Sequence, residues 1–223
     1  TYNLLAWSTR SAAQTGGRAC SIACGIGAPD ILGVQEVASR HAASMLGHFA
    51  SFAGGRGTPW VPGLDYAAEV DDIQSSSIKL GYLYRRSSVT LLSEPTSHQK
   101  CVTATLVGLA RPCVEDGVPG NLLYDRPPYI ARFEVKATGG RANVIVNHWL
   151  SQFGRPLTVT LPIHMAMARH NLALVHALRD AEPDVPVVLM GDLNTTPGSP
   201  PLVALVSDGT LVAKAVSYTC IFT

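Results

Sequence analysis

The chain has 223 residues, 47% hydrophobic and 15% charged, which suits one α/β domain (1–223) with a substantial core. No apolar run reaches the ~18 residues of a membrane-spanning helix, and Thr1 opens in an apolar segment lacking a signal peptide's basic region or cleavage site. A net charge of +1 excludes the broad positive field of a non-specific nucleic-acid binder; the excess of Arg over Lys, 13 to 4, favours local bidentate contacts to anions.

In chain order, Tyr2 to Trp7 reads as a short strand carrying Asn3, and Arg18 to Ile26 as a helical stretch. A turn at Ala28-Pro29-Asp30 leads into a buried strand, Ile31 to Gln35, that ends at Glu36. Val37 to Phe49 has helical spacing, and the Gly-, Ser-, Asp- and Pro-rich residues 51 to 77 read as a long surface loop. Ile78 to Tyr84 and Val89 to Leu92 form an expected antiparallel pair joined through Arg85 to Ser88. Residues 94 to 125 read as irregular. Tyr129 to Val135 and Asn143 to Asn147 are strands on either side of a Gly139-Gly140 turn. Met165, Ala168, Leu172, Val175 and Leu178 mark one face of a helix that Pro183 stops. Val185 to Met190 then forms a β-branched run suited to a strand buried on both faces.

Polar groups collect at the strand ends: Glu36, Asn147 with His148, and Asp192 with Asn194. Open α/β folds place ligands at the carboxyl ends of strands. Singly, each residue has an ordinary reading as a cap, turn or satisfied histidine. Together, a few carboxylates with amides and an imidazole can hold a hydrated Mg²⁺ ion and position water and phosphate. Five cysteines add a weaker signal. Cys101 and Cys113 bracket a loop-like stretch, and Cys20 and Cys24 lie close in sequence, so export permits two disulfides with Cys220 to spare; in the cytosol all five are thiols. The reading leans to an extracellular or periplasmic protein.

Asn3 in Thr-Tyr-Asn-Leu, Pro29 to Val37, Gly81 to Arg85, Arg126-Pro127-Pro128, Val146 to Ser151 and Gly191-Asp192-Leu193-Asn194 follow one another in a familiar order. On these blocks the chain resembles the endonuclease/exonuclease/phosphatase (DNase I-like) superfamily over nearly its whole length, and within it the bacterial nuclease-like members. The resemblance implies a four-layer α/β/β/α sandwich of two mixed sheets with helices outside. It also implies a phosphoesterase dependent on Mg²⁺, with Mn²⁺ or Ca²⁺ as alternatives. On the same basis Glu36 and Asn3 bind the metal, His148 contacts the scissile phosphate, Asp192 and Asn194 position water and phosphate, and Arg126 either binds phosphate or buttresses the site; Asn147, beside His148, is a further candidate phosphate contact.

Two positions depart from the family pattern. Leu150 stands where such members carry Lys. A terminal Asp-His motif, whose His works with the Asp of Gly-Asp-x-Asn, does not follow Ser217 to Phe222. The expectation is therefore a chain cut before its last strand, weakly active alone, from a monomeric parent enzyme that cleaves DNA or RNA. The alternatives are a phospholipid or small-molecule phosphoesterase (sphingomyelinase- or inositol-phosphatase-like) and a catalytically impaired binding module. His164, His170 and His176 are expected at the surface or edge of their helix, and Trp60 and Trp149 are expected in packing rather than stacked on bases.

Overall fold

The computed structural model describes residues 2–3, 29–38, 65–71, 78–103 and 106–213. The helix expected over 18–26, residues 39–49 of the helix expected over 37–49, residues 51–64 and 72–77 of the loop expected over 51–77, Trp60, Cys20, Cys24 and Cys220 lie outside them; Val37 and Ala38 belong to a strand instead. A first mixed sheet contains β1 (Tyr2–Asn3), β2 (Ile31–Ala38), β3 (Tyr66–Val70) and β4 (Ile78–Arg85), in the order β1-β2-β4-β3. β1 runs parallel to β2, and the other pairs are antiparallel. The second sheet has the order β12-β11-β10-β5, formed by β5 (Val89–Leu91), β10 (Tyr129–Val135), β11 (Arg141–His148) and β12 (Val187–Asp192). In it β11 and β12 are parallel, and β6 (Thr96–Ser97) pairs with β10. A small third sheet orders β7 (Cys101–Val102), β9 (Val118–Leu122) and β8 (Pro112–Glu115) as β7-β9-β8, with Cys101 and Cys113 joined in a disulfide. Two helices are described, α1 (Leu157–Ala181) and α2 (Pro200–Val206).

Alternation along the strands decides what each sheet buries. Leu80, Tyr82 and Tyr84 of β4 meet Tyr129, Ala131 and Phe133 of β10 and Val144 and Val146 of β11 in one core between the two large sheets. The Tyr82 ring lies 5.4 Å from that of Tyr129 and 5.7 Å from that of Phe133, edge-on to the latter. Its hydroxyl reaches across to the second sheet, 2.7 Å from the Val144 carbonyl oxygen. Gly33 lets the sheets close further along, since a Cβ there would sit 2.6 Å from Val146 Cγ2. On the outer face of the second sheet, Ile130 and Ile145 pack with Val175 of α1. Trp149, Leu150, Ile163, Met167 and Leu205 join the sheet's end to both helices.

Several sequence expectations are corrected here. β4 and β5 are not a hairpin: β2 and β3 occupy both edges of β4, so the chain crosses to the second sheet and β5 pairs with β10. The loop over 51–77 contains β3, and the irregular stretch over 94–125 contains β6 to β9. Val185 to Met190 does not form a strand buried on both faces. β12 lies at the end of the described strand order, and Val188 is 42% exposed. β2 does not stop at Glu36 but continues through Val37 to Ala38. The buried face of α1 is Thr160, Ile163, His164, Met167, Ala168, Asn171 and Val175, so only Ala168 and Val175 of the expected stripe are buried. The helix turns a partly polar face inward because that face finds partners: His164 Nε2 donates to the Leu150 carbonyl at 2.7 Å, and Asn171 Nδ2 donates to Tyr124 Oη at 3.1 Å. His164 is therefore a core residue rather than a surface one.

Candidate active site

The strand ends of both large sheets meet at a small set of side chains. Val34 pairs with Gly81 and Val37 with Lys79, so β2 carries one extra residue, a β-bulge, at Gln35-Glu36. Glu36 adopts φ +58° within it, a left-handed conformation that costs on the order of 1 kcal/mol or more in a non-glycine residue. The bulge re-aims the Glu36 carboxylate toward the second sheet, where Oε1 lies 3.7 Å from His148 Nε2. The register of β1 on β2 sets Asn3 opposite Gln35, one residue before Glu36; its side chain is outside the described residues.

His148 ends β11 on the same face as Val144 and Val146 and is buried, 4% exposed. Burial pushes its imidazole down to about 4, the Arg126 guanidinium acting in the same direction and Asp192 opposing both. At neutral pH the ring is uncharged, so the contact with Glu36 is not an ion pair. Its buried Nδ1 has no hydrogen-bond partner in the protein. By strand alternation Asn147 falls on the opposite face from His148, with Ile145, and its buried Oδ1 and Nδ2 have no hydrogen-bond partner in the protein.

β12 supplies the other half. The parallel register pairs His148 with Asp192 and Asn147 with Gly191. Gly191 has φ +138°, and a Cβ there would sit 2.0 Å from the Asn147 carbonyl oxygen, so only glycine permits this approach. Beyond the strand, Asn194 turns into a left-handed conformation at φ +47° and its N–H donates to Asp192 Oδ1 at 2.9 Å. Its Nδ2 donates to the Trp149 carbonyl at 2.9 Å, and Arg126 Nη2 makes a longer contact, 3.4 Å, to the same oxygen. Among the described residues three non-glycine residues have positive φ, and Glu36 and Asn194 are two of them. Strain concentrated at one cleft is a feature of functional sites.

Arg126 is half-buried. Burial disfavours its charge, while Asp125, Glu36 and Asp192 favour it and Arg155 opposes it. A pocket adjoining His148 is lined by Arg126, Arg111, Arg155, Asp125, Leu150 and Met167, among others. Arg111 and Arg155 escaped the sequence reading; the one signal pointing to them was the excess of Arg over Lys. Trp149 is fully buried in packing. Cys101 and Cys113 lie away from the cleft residues in sequence and tie the sheet that carries Leu122 of the pocket wall.

The donor set limits which cation fits. Among the described residues no group of three or more His, Cys, Asp or Glu side chains could hold a metal by itself. Carboxylate oxygens from Glu36 and Asp192 with a single imidazole suit a hard cation that keeps most of its waters, and they do not suit a closed zinc site.

Two mixed sheets packed face to face, with polar strand ends converging at one edge, define a DNase I-like fold. The sequence pattern of the endonuclease/exonuclease/phosphatase family matches residues 8–212, and the chain belongs to that family. Comparison with curated protein sequences returns no significant match. Among solved structures, the human Nocturnin catalytic domain with a bound sulfate anion is similar at TM-score 0.57 and 13% identity, with 94% of this chain and 68% of that one covered. A mannosyl-6-phosphatase from Bacteroides thetaiotaomicron is similar at TM-score 0.56 and 17% identity, with 89% and 63% covered. D. rerio TDP2 complexed with a single-stranded DNA product is similar at TM-score 0.54 and 17% identity, with 95% and 64% covered. The chain thus spans about two thirds of the length of each.

Proposed function

We propose that the protein is a divalent-metal-dependent phosphoester hydrolase that cleaves DNA or RNA phosphodiesters by attack of water on phosphorus. The observation that carries this reading is the approach of Glu36 Oε1 to within 3.7 Å of His148 Nε2, with Asp192 beside His148 across the parallel register. In this reading Glu36 holds Mg²⁺, with Mn²⁺ or Ca²⁺ as alternatives, and Asn3 is its neighbour on β1. When bound, the cation neutralises negative charge on the phosphoryl oxygens. Asp192, held by the turn to Asn194, orients the attacking water and accepts its proton. Asn194 uses one amide N–H on Trp149 and offers the second to a phosphate oxygen. His148, uncharged at neutral pH, acts as a hydrogen-bond donor rather than a cation, and Arg126 supplies the positive charge. Asn147 faces away and has no part in this scheme.

Support also comes from the similar structures, of which one holds a sulfate anion, one is a mannosyl-6-phosphatase and one holds a DNA product. The near-neutral net charge favours a second reading, a small phosphate ester as substrate. The full-length protein is assayed on single- and double-stranded DNA, RNA, sphingomyelin and sugar phosphates, with Mg²⁺ and with EDTA. Nucleic-acid cleavage that EDTA abolishes supports the first reading; cleavage of a small ester with nucleic acid untouched selects the second. We infer export to an oxidising compartment from the Cys101–Cys113 disulfide, and thiol labelling of the native protein before and after reduction tests it.

A further inference from the structure

We propose that Phe153 is the platform on which an unpaired nucleobase of the substrate stacks, next to the phosphate held at His148. This rests on the phosphoester reading and narrows its substrate to single-stranded nucleic acid or frayed ends. Phe153 is 95% exposed; the other exposed large apolar side chains among the described residues are all Val or Leu, and none exceeds 70%. Scattered exposed aliphatics are ordinary, but a phenyl ring left in water forgoes the burial that a side chain of its size would gain. The loop over 151–155 holds it there by spending its polar groups on itself. Phe153 N–H donates to Ser151 Oγ at 3.2 Å, Arg155 N–H to the Gln152 carbonyl at 3.0 Å, and Arg155 Nη1 to the Ser151 carbonyl at 3.2 Å. Gly154, third of the four turn residues from Gln152 to Arg155, has φ +71°, the left-handed state that a type II turn requires there. Phe153 is therefore at the tip of a closed turn.

That turn stands at the rim of the site already described. It follows β11 after His148, Trp149 and Leu150, and Arg155 lines the same pocket as His148 and Arg126. Two residues span at most ~7 Å between Cα atoms, so the ring is within reach of the nucleotide next to a phosphate in that pocket. Guanidinium groups for the backbone and an aromatic face for the base are the combination that binds single strands. A base inside a duplex is stacked on both faces and has none to offer, which sets the preference for unpaired bases. A lipid surface fits less well. A loop seated in a bilayer needs a continuous apolar face or a basic cluster. Here one ring stands between Gln152 and Arg155, Leu157 at 59% is the next large apolar residue exposed along the chain, and the net charge is +1.

The full chain in EDTA is titrated with a short single-stranded oligothymidylate and with the same oligomer carrying one abasic residue, placed at each position in turn. Phe153→Ala removes a ring that is 95% exposed, so the fold is spared. It is expected to weaken binding about tenfold, as for one stacked base. One abasic position should cost wild type as much and cost Phe153→Ala nothing further, and Phe153→Tyr should restore the affinity. Phe153→Trp should be quenched by the oligomer and not by the form abasic at that position. Equal affinities of wild type and Phe153→Ala, additive losses at every abasic position, or no binding of any oligomer overturn the proposal. So does Phe153→Trp emission that shifts on phosphatidylcholine/phosphatidylserine vesicles and ignores the oligomer, which marks a lipid anchor instead. With Mg²⁺, KM for the oligomer should rise about tenfold in Phe153→Ala. A fall in kcat shared by the oligomer and methyl p-nitrophenyl phosphate is the mark of a merely structural Phe153 and counts against it. If no phosphoester is hydrolysed, the functional reading fails, and the binding arm still decides the platform.

Discussion

Replacing Gly191 by Ala tests the strand pairing that holds the site together. The new methyl would lie 2.0 Å from the Asn147 carbonyl oxygen, 2.7 Å from its N and 2.8 Å from its C, against the roughly 3.5 Å of a comfortable contact. All three atoms are backbone, so no rotamer change relieves the overlap, and β12 must move off β11. The positive φ adds its own strain, about 1–3 kcal/mol, and overpacking against a fixed wall adds a similar amount. The expected loss is about 3–5 kcal/mol. Gly198→Ala is the control, because Gly198 has φ +76° with nothing within 4 Å of a Cβ, and it should cost only about 1 kcal/mol. Urea unfolding followed by circular dichroism measures both, with unchanged m-values licensing the comparison. A Gly191→Ala protein within about 1 kcal/mol of Gly198→Ala would refute the close β11–β12 approach, and with it the placement of Asp192 beside His148.

Replacing the disulfide with Cys101→Ser and Cys113→Ser opens a loop whose ends are 12 residues apart in sequence and should cost about 3 kcal/mol, read as a lower urea midpoint; an unchanged midpoint contradicts the bridge. Tyr82→Phe deletes the hydroxyl that reaches Val144 and should cost about 1–2 kcal/mol with the fold retained; no change in midpoint contradicts that bond. Burial lowers the pKa of His98, His164 and His170, the last to about 4. The folded state then binds fewer protons than the unfolded chain below the ordinary histidine value, so the stability these groups provide is full above about pH 6.5 and drains away toward pH 4. Urea midpoints at pH 7 and 5 should fall accordingly, and His170→Gln should flatten the slope; a flat wild-type profile speaks against buried neutral histidines.

What the sequence displayed was what periodicity and composition encode. The strands around Leu32, Tyr82, Phe133 and Val144 were legible because their side chains alternate between packed faces, and Pro183 marked the end of α1. The strands β7 to β9 were not, because Pro112, Gly117, Pro119 and Gly120 give them the composition of a loop, and cross-strand pairing with a disulfide holds them instead. A β-branched run at Val187 looks alike in a central and an edge strand, and its exposure is set by neighbours far away in sequence. Glu36, His148, Asp192 and Asn194 were picked out as polar strand ends and by family resemblance. Their convergence was not readable, since the bulge at Glu36 is a backbone state that a Glu does not favour, and the left-handed turn at Asn194, though Asn tolerates it, is fixed by the hydrogen bonds to Asp192 and Trp149. His164 was misplaced for the converse reason: a lone histidine carries no mark of the Leu150 carbonyl that accepts its hydrogen bond.

The central claim is that Glu36 and His148 act together in metal-dependent phosphoester cleavage. The most direct measurement is Mg²⁺-dependent hydrolysis of DNA and of p-nitrophenyl phosphate esters by wild type, Glu36→Gln and His148→Ala, each shown folded by its urea transition. The account predicts activity in wild type that EDTA abolishes and a fall of about 10²-fold or more in kcat for each variant. Activity that survives EDTA, or that persists undiminished in a folded His148→Ala protein, contradicts it.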